Sequence, residues 1–199
     1  MTTAIEPAES PLTPESWGKL GMWTFLAGDA MSFGALLAGY GAIRAGSLDW
    51  PNPQEILGIK LTAVMTFLLI CSSLTMVKGL SAIRNGNRNQ MVQYLLLTVL
   101  GGVFFLGLQA YEWTHLIHDG LTFSSNPFGN YLFGTTFFAI TGFHGAHVTG
   151  GVIYLFIIAV RGLKGKYSAQ NANGVEIAGL YWHFVDLVWI LVFTFVYLI

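Results

Sequence analysis

Charge is scarce in this 199-residue chain. Lysine, arginine, aspartate and glutamate together make up 10% of it, where a soluble domain carries about 25%. Hydrophobic residues make up 54%. That much apolar surface does not fit inside one water-soluble core of this size, so the composition indicates an integral membrane protein. The single cysteine, Cys71, excludes a disulfide framework, and its place midway along an apolar run reads as a buried thiol acting as a small hydrophobe. The formal net charge of -1 and the lack of a basic patch exclude nucleic acid as a partner. There is no Gly-rich phosphate loop, no Cys-x-x-Cys and no Ser-His-Asp arrangement, so nothing points to a kinase, dehydrogenase or hydrolase. Glu6, Glu9 and Glu15 precede the first lysine, the wrong charge for a secretory signal peptide. Internal repeats and low-complexity runs are also missing.

What the chain does have is five long apolar runs. Residues 1–16, with Pro7, Pro11 and Pro14, read as a polar N-terminal tail. Residues 17–199 read as a single all-α domain of five transmembrane helices, with spans at about 17–44, 56–83, 90–117, 131–160 and 175–199. Lys19, Lys78, Arg84, Arg88, Arg161, Lys164 and Lys166 fall at the N-terminal end of this arrangement, and only Arg44 and Lys60 at the other. That imbalance predicts a cytoplasmic N-terminus and a C-terminus on the opposite side. Two small-residue stripes recur every fourth residue, at Ala30, Gly34, Ala38 and Ala42 and at Gly142, Ala146 and Gly150, and predict close helix packing.

The ionisable residues inside the spans are Asp29, Glu112, His144, His147, His183 and Asp186. Lipid cannot solvate them, so each must face protein or a wet cavity. His183 and Asp186 lie three apart, about one turn along one helix face, which makes His183 the nearest candidate partner of Asp186. His144 and His147 share the same spacing and could ligate a metal with help from Glu112 and His183, but histidines so placed more often hydrogen-bond across a bundle. A haem clamp between His144 and His183 suffers from their unequal depth. Asp29 and Asp186 lie at similar depth, which allows a proton relay with His183. His115 and His118 fall at the outer interface and read as solvated. Composition and spacing alone lead to a five-span bundle with a buried polar network.

Tyr181-Trp182-His183-Phe184-Val185-Asp186-Leu187-Val188-Trp189 closely resembles a motif of subunit III of haem–copper terminal oxidases. Gly134-Thr135-Thr136-Phe137-Phe138-Ala139-Ile140-Thr141-Gly142-Phe143-His144-Gly145-Ala146-His147-Val148 in the fourth span does the same. Leu108-Gln109-Ala110-Tyr111-Glu112-Trp113 is similar to the family's third-span glutamate segment, and Leu20-Gly21-Met22-Trp23-Thr24-Phe25-Leu26 to the entry of its acidic first helix. Glu176 also falls at a family position. The resemblance runs in order from about Trp17 to Ile199. It implies the five-helix form of the subunit, lacking the first two helices of longer members, which wall a lipid-filled cleft there.

For function, the resemblance implies a subunit without a redox centre or catalytic residue. It would stabilise the catalytic subunit I and shape proton, oxygen and lipid access, while the complex reduces oxygen to water and translocates protons. No metal is expected on this chain. Haem and copper are expected in the partner subunit, phospholipids at the surface, and subunits I and II among the partners, in a bacterial inner membrane or its equivalent with a periplasmic C-terminus. Asp29 stands where cytochrome c oxidases usually have glutamate and looks like the quinol-oxidase branch, whereas Tyr181-Trp182-His183 and Gln109-Ala110-Tyr111-Glu112 look more like the cytochrome c branch, the reading adopted here. The rivals are a quinol-oxidase subunit III, an accessory of a nitric-oxide-reducing complex, and a free-standing proton channel built on Asp29 and Asp186.

Overall fold

The computed structural model describes residues 17–199, so the predicted tail lies outside the described residues. Five helices are long and apolar enough to cross a membrane. They are α1 (Trp17–Ala45), α3 (Ile59–Arg84), α4 (Arg88–His118), α5 (Leu132–Leu163) and α6 (Asn173–Val192). A single-turn helix, α2 (Pro53–Ile56), precedes α3, and α6 runs on as a π-helical segment, Phe193–Leu198. The predicted spans agree with these bounds to within about three residues at each end, the usual scatter of helix termini.

The polar turns set the helix ends. The Asn87 side chain accepts from the Gln90 amide and caps the start of α4. At the end of α3, Gly86 takes a positive φ of 77°, its amide reaches the Ile83 carbonyl, and the Asn87 amide reaches the Ala82 carbonyl. This pair of bonds closes the last turn of the helix, and Gly120 ends α4 in the same way at φ 90°.

α6 is the hub, packed against α5, α3 and α1. Trp182 and Trp189, both fully buried, carry its core face. Trp182 fits only because glycine faces it from two sides. A Cβ placed on Gly102 of α4 would lie 2.6 Å from its ring and 2.5 Å from Val152, and one on Gly151 of α5 would lie 2.9 Å from the ring. On α5, Gly162 makes room for Met91 in a comparable way. α1 lies on the outside and buries a seam of Leu26, Phe33 and Tyr40, spaced seven apart.

The two small-residue stripes are placed differently from each other. Ala30, Gly34, Ala38 and Ala42 are all exposed: Ala30 borders a groove between α1 and α6, and the later three turn progressively away from the buried heptad of large residues. In the second stripe Gly142 abuts Trp113 of α4 and Gly150 lies near Tyr181 of α6, while Ala146 faces outward. Cys71 corrects the sequence reading. It is exposed on the outer face of α3, one position from buried Ser72, so it is not a core thiol.

The glycine contacts predict a contrast within α4. Gly102→Ala should destabilise the bundle by about 1–3 kcal/mol through overpacking against Trp182 and Val152. Gly107→Ala, at a position open within 4 Å, should be neutral or slightly stabilising. Thermal unfolding of the two variants in detergent checks this, and equal melting points would contradict it.

Candidate functional site

The polar side chains of the spans meet in separate clusters at different depths. At the end that carries most of the basic residues, Glu176 in the first turn of α6 binds Lys19 of α1 through Oε1 and Arg84 of α3 through Oε2, both at 3.0 Å. One carboxylate thus ties three helices. Arg84 is more than half exposed, so this layer is an interfacial ionic contact and is weak per pair.

Deeper in, Asp29 of α1 pairs with His147 of α5, Oδ2 to Nε2, at 3.1 Å. The side chains are 15% and 14% exposed, dry enough for the pair to act across the helix interface. The Nδ1 of His147 contacts the Phe143 carbonyl at 2.8 Å, which fixes the ring, and Tyr181 of α6 donates to the His147 carbonyl at 2.9 Å. Three helices therefore converge on His147. Asp29 does not meet Asp186, so the relay suggested by their common depth is replaced by this pair.

Asp186 does not pair with His183, and its Oδ1 has no hydrogen-bond partner among the described residues. His183 turns its Nδ1 to Ser73 of α3 at 2.5 Å, and the Asp186 carboxyl lies beside the same hydroxyl. Ser73 thus stands between two residues that the helix places one turn apart. On the next turns, Trp182 donates to Ser72 at 3.0 Å and Trp189 donates to Thr66 at 2.9 Å. A ladder of hydroxyls on α3 therefore holds the polar edge of α6.

His144 is fully buried, three residues from His147, in an entirely different setting. Its ring lies 4.9 Å from that of Trp189 and packs edge-on to Phe105 and Phe33. Its two nitrogens have no hydrogen-bond partner among the described residues. His144 and His183 share no common partner, and the described residues contain no group of three His, Cys, Asp or Glu arranged to hold a metal ion.

The remaining cluster lies at the opposite end. Glu112 of α4 is 3% exposed. Tyr197 donates to its Oε2 at 2.9 Å, and Thr62 of α3 lies 3.0 Å from its Oε1. Sequence reasoning found Glu112 but missed Tyr197, because the π-helical segment that turns it inward has no signature in a run of apolar residues. One turn further in, Gln109 donates from Nε2 to the Thr141 carbonyl at 2.8 Å and locks α4 to α5. His115 pairs with Asp119 at 3.1 Å on the exposed surface.

The Asp29–His147 pair predicts a measurable coupling. In a double-mutant cycle of Asp29→Ala and His147→Ala, the interaction energy from thermal unfolding should be about 0.5–3 kcal/mol. The same cycle on the exposed His115–Asp119 pair should give less than about 0.5 kcal/mol. Additive effects at the first pair would contradict the tether.

Residues 18–199 match the model of the family described as cytochrome c oxidase subunit III. The chain is 36% identical over 180 residues to the cytochrome c oxidase subunit 3 of Alkalihalophilus pseudofirmus, an alignment covering 90% of this chain and 85% of the relative. It is 33% identical over 207 residues to a probable cytochrome c oxidase subunit 3 of Nocardia farcinica, with both chains covered in full. The quinol oxidase subunit 3 of Bacillus subtilis is 34% identical over 179 residues, covering 90% of this chain and 85% of the relative. With five membrane-spanning helices and a match over nearly its whole length, this chain belongs to the cytochrome c oxidase subunit III family.

Proposed function

We propose that this chain is the non-catalytic subunit III of a respiratory haem–copper oxidase, a multi-pass protein of a bacterial energy-transducing membrane. The observation that carries the reading is the family match over residues 18–199. It is supported by the way the intramembrane ionisable groups are used. Asp29, His147, Glu112, His183 and Asp186 turn to other side chains of the bundle, which suits a structural partner of a redox subunit. Haem and copper then belong to the catalytic subunit I, where oxygen is reduced to water and protons are moved. This chain braces that subunit, and lipids fill its outer grooves.

The electron donor in this reading is cytochrome c, following Tyr181-Trp182-His183 and Gln109-Ala110-Tyr111-Glu112. Quinol is the second reading, favoured by the 34% identity to a quinol oxidase subunit 3 and by aspartate at position 29. The clustering of Lys19, Arg84, Arg88, Arg161, Lys164 and Lys166 at one end supports a cytoplasmic N-terminus. The exposed small-residue face of α1 at Ala30, Gly34, Ala38 and Ala42 suits close packing by a helix of a neighbouring subunit.

Purification in mild detergent through a tag on this chain tests the reading. A large haem-bearing partner should co-purify, and the reduced-minus-oxidised spectrum should vanish when this chain is separated from it. The partner's copper content separates oxygen reduction from nitric oxide reduction. A colourless preparation without partners would overturn the proposal, and proton flux into vesicles holding the chain alone would favour the channel. Ala38→Leu should lower the yield of the partner several-fold while leaving the chain's own melting point unchanged.

A further inference from the structure

The hydrogens around Glu112 can be counted. The Thr62 hydroxyl has one proton and two acceptors within reach: the carbonyl of Gly58, four residues back on its own helix, at 3.1 Å, and Glu112 Oε1 at 3.0 Å. Tyr197 spends its one proton on Oε2. If the carboxyl were ionised, Thr62 would donate to Oε1 while the Gly58 carbonyl kept its bond from the Thr62 amide, but a charge 3% exposed would lie in a membrane span with two neutral donors and no cation among the described residues. If the carboxyl carries a proton on Oε1, no charge is buried and every donor still has an acceptor: Oε1–H donates to Thr62, Thr62 donates to Gly58, and Tyr197 donates to Oε2.

The surroundings agree with the second arrangement. α3 presents Thr62, with Lys60 exposed two residues earlier, and the π-helical segment presents Tyr197. On α4 the nearest charged groups are His115 and Asp119, already paired with each other, and on α2 Glu55 is held by Asn52. A pocket of about 120 Å³, lined by Gly58, Leu61, Tyr111, Glu112, His115 and Asp119 among others, joins the carboxyl to this end of the bundle.

We propose that Glu112 is a proton-binding site: a neutral acid that donates to Thr62 and exchanges its proton with the aqueous phase through the pocket beside His115 and Asp119. The site does not depend on the oxidase reading, because the argument uses only this chain's own atoms.

Infrared spectroscopy tests it on the tagged chain in whatever assembly it purifies with. At pH 7 the wild type minus Glu112→Gln difference should contain a carboxylic-acid C=O band that shifts in D₂O. A carboxylate band in its place would overturn the proposal. Thr62→Val, close to threonine in shape, should move the acid band to higher wavenumber by removing its acceptor, and an unmoved band would contradict the donor assignment. Leu61→Trp, which fills the pocket, should slow the deuterium shift at least tenfold, and an unchanged rate would overturn the route.

Discussion

Lipid offers no hydrogen bond to a buried side chain, and the placement of polar groups in this bundle follows from that constraint. Asp29 can lie deep in the membrane because His147 reaches it from another helix. Glu112 can lie there because Tyr197 and Thr62 converge on it from two more. These two carboxyl groups become points at which helices are fixed in register, whereas His144, with neither nitrogen partnered among the described residues, is held by aromatic rings alone. Apolar packing adds to this register only where shapes are specific, as where Trp182 fits between Gly102 and Gly151.

The second consequence is the role of α6. It carries Glu176, His183 and Asp186 along one edge and Trp182 and Trp189 in its core, and its side chains reach all four other spans. The indole N–H groups find hydroxyls on α3, and the Trp182 ring lies where glycines of α4 and α5 remove the Cβ atoms that would block it. Polar partner and steric notch thus act on the same residue. α1, in contrast, is held by the Glu176 layer, the Asp29 pair and a narrow seam, and it leaves a broad small-residue face outward.

The spans were legible from hydropathy alone. The set of ionisable residues was legible too, because each is conspicuous in an apolar run. Partner choice was not. His144 and His147 share a face by spacing, yet three residues on a helix leave about 60° between them, enough to send one ring among aromatics and the other to Asp29. His183 and Asp186 invited pairing, but Ser73 of another helix came between them. The four-residue stripes named Gly142, Ala146 and Gly150, whereas the tightest contacts formed at Gly102, Gly151 and Gly162, since the need for a glycine is set by the neighbour that faces it. The six-residue π segment that aims Tyr197 at Glu112 left no mark in composition.

The most direct test is a high-resolution cryo-electron microscopy map of the assembly that contains this chain. The account predicts five helices packed beside a haem-bearing subunit, with Asp29 on His147, Tyr197 on Glu112 and no metal or haem ligated by His144 or His183. Density for a metal or haem iron on either histidine, or Asp29 turned away from His147, would contradict it.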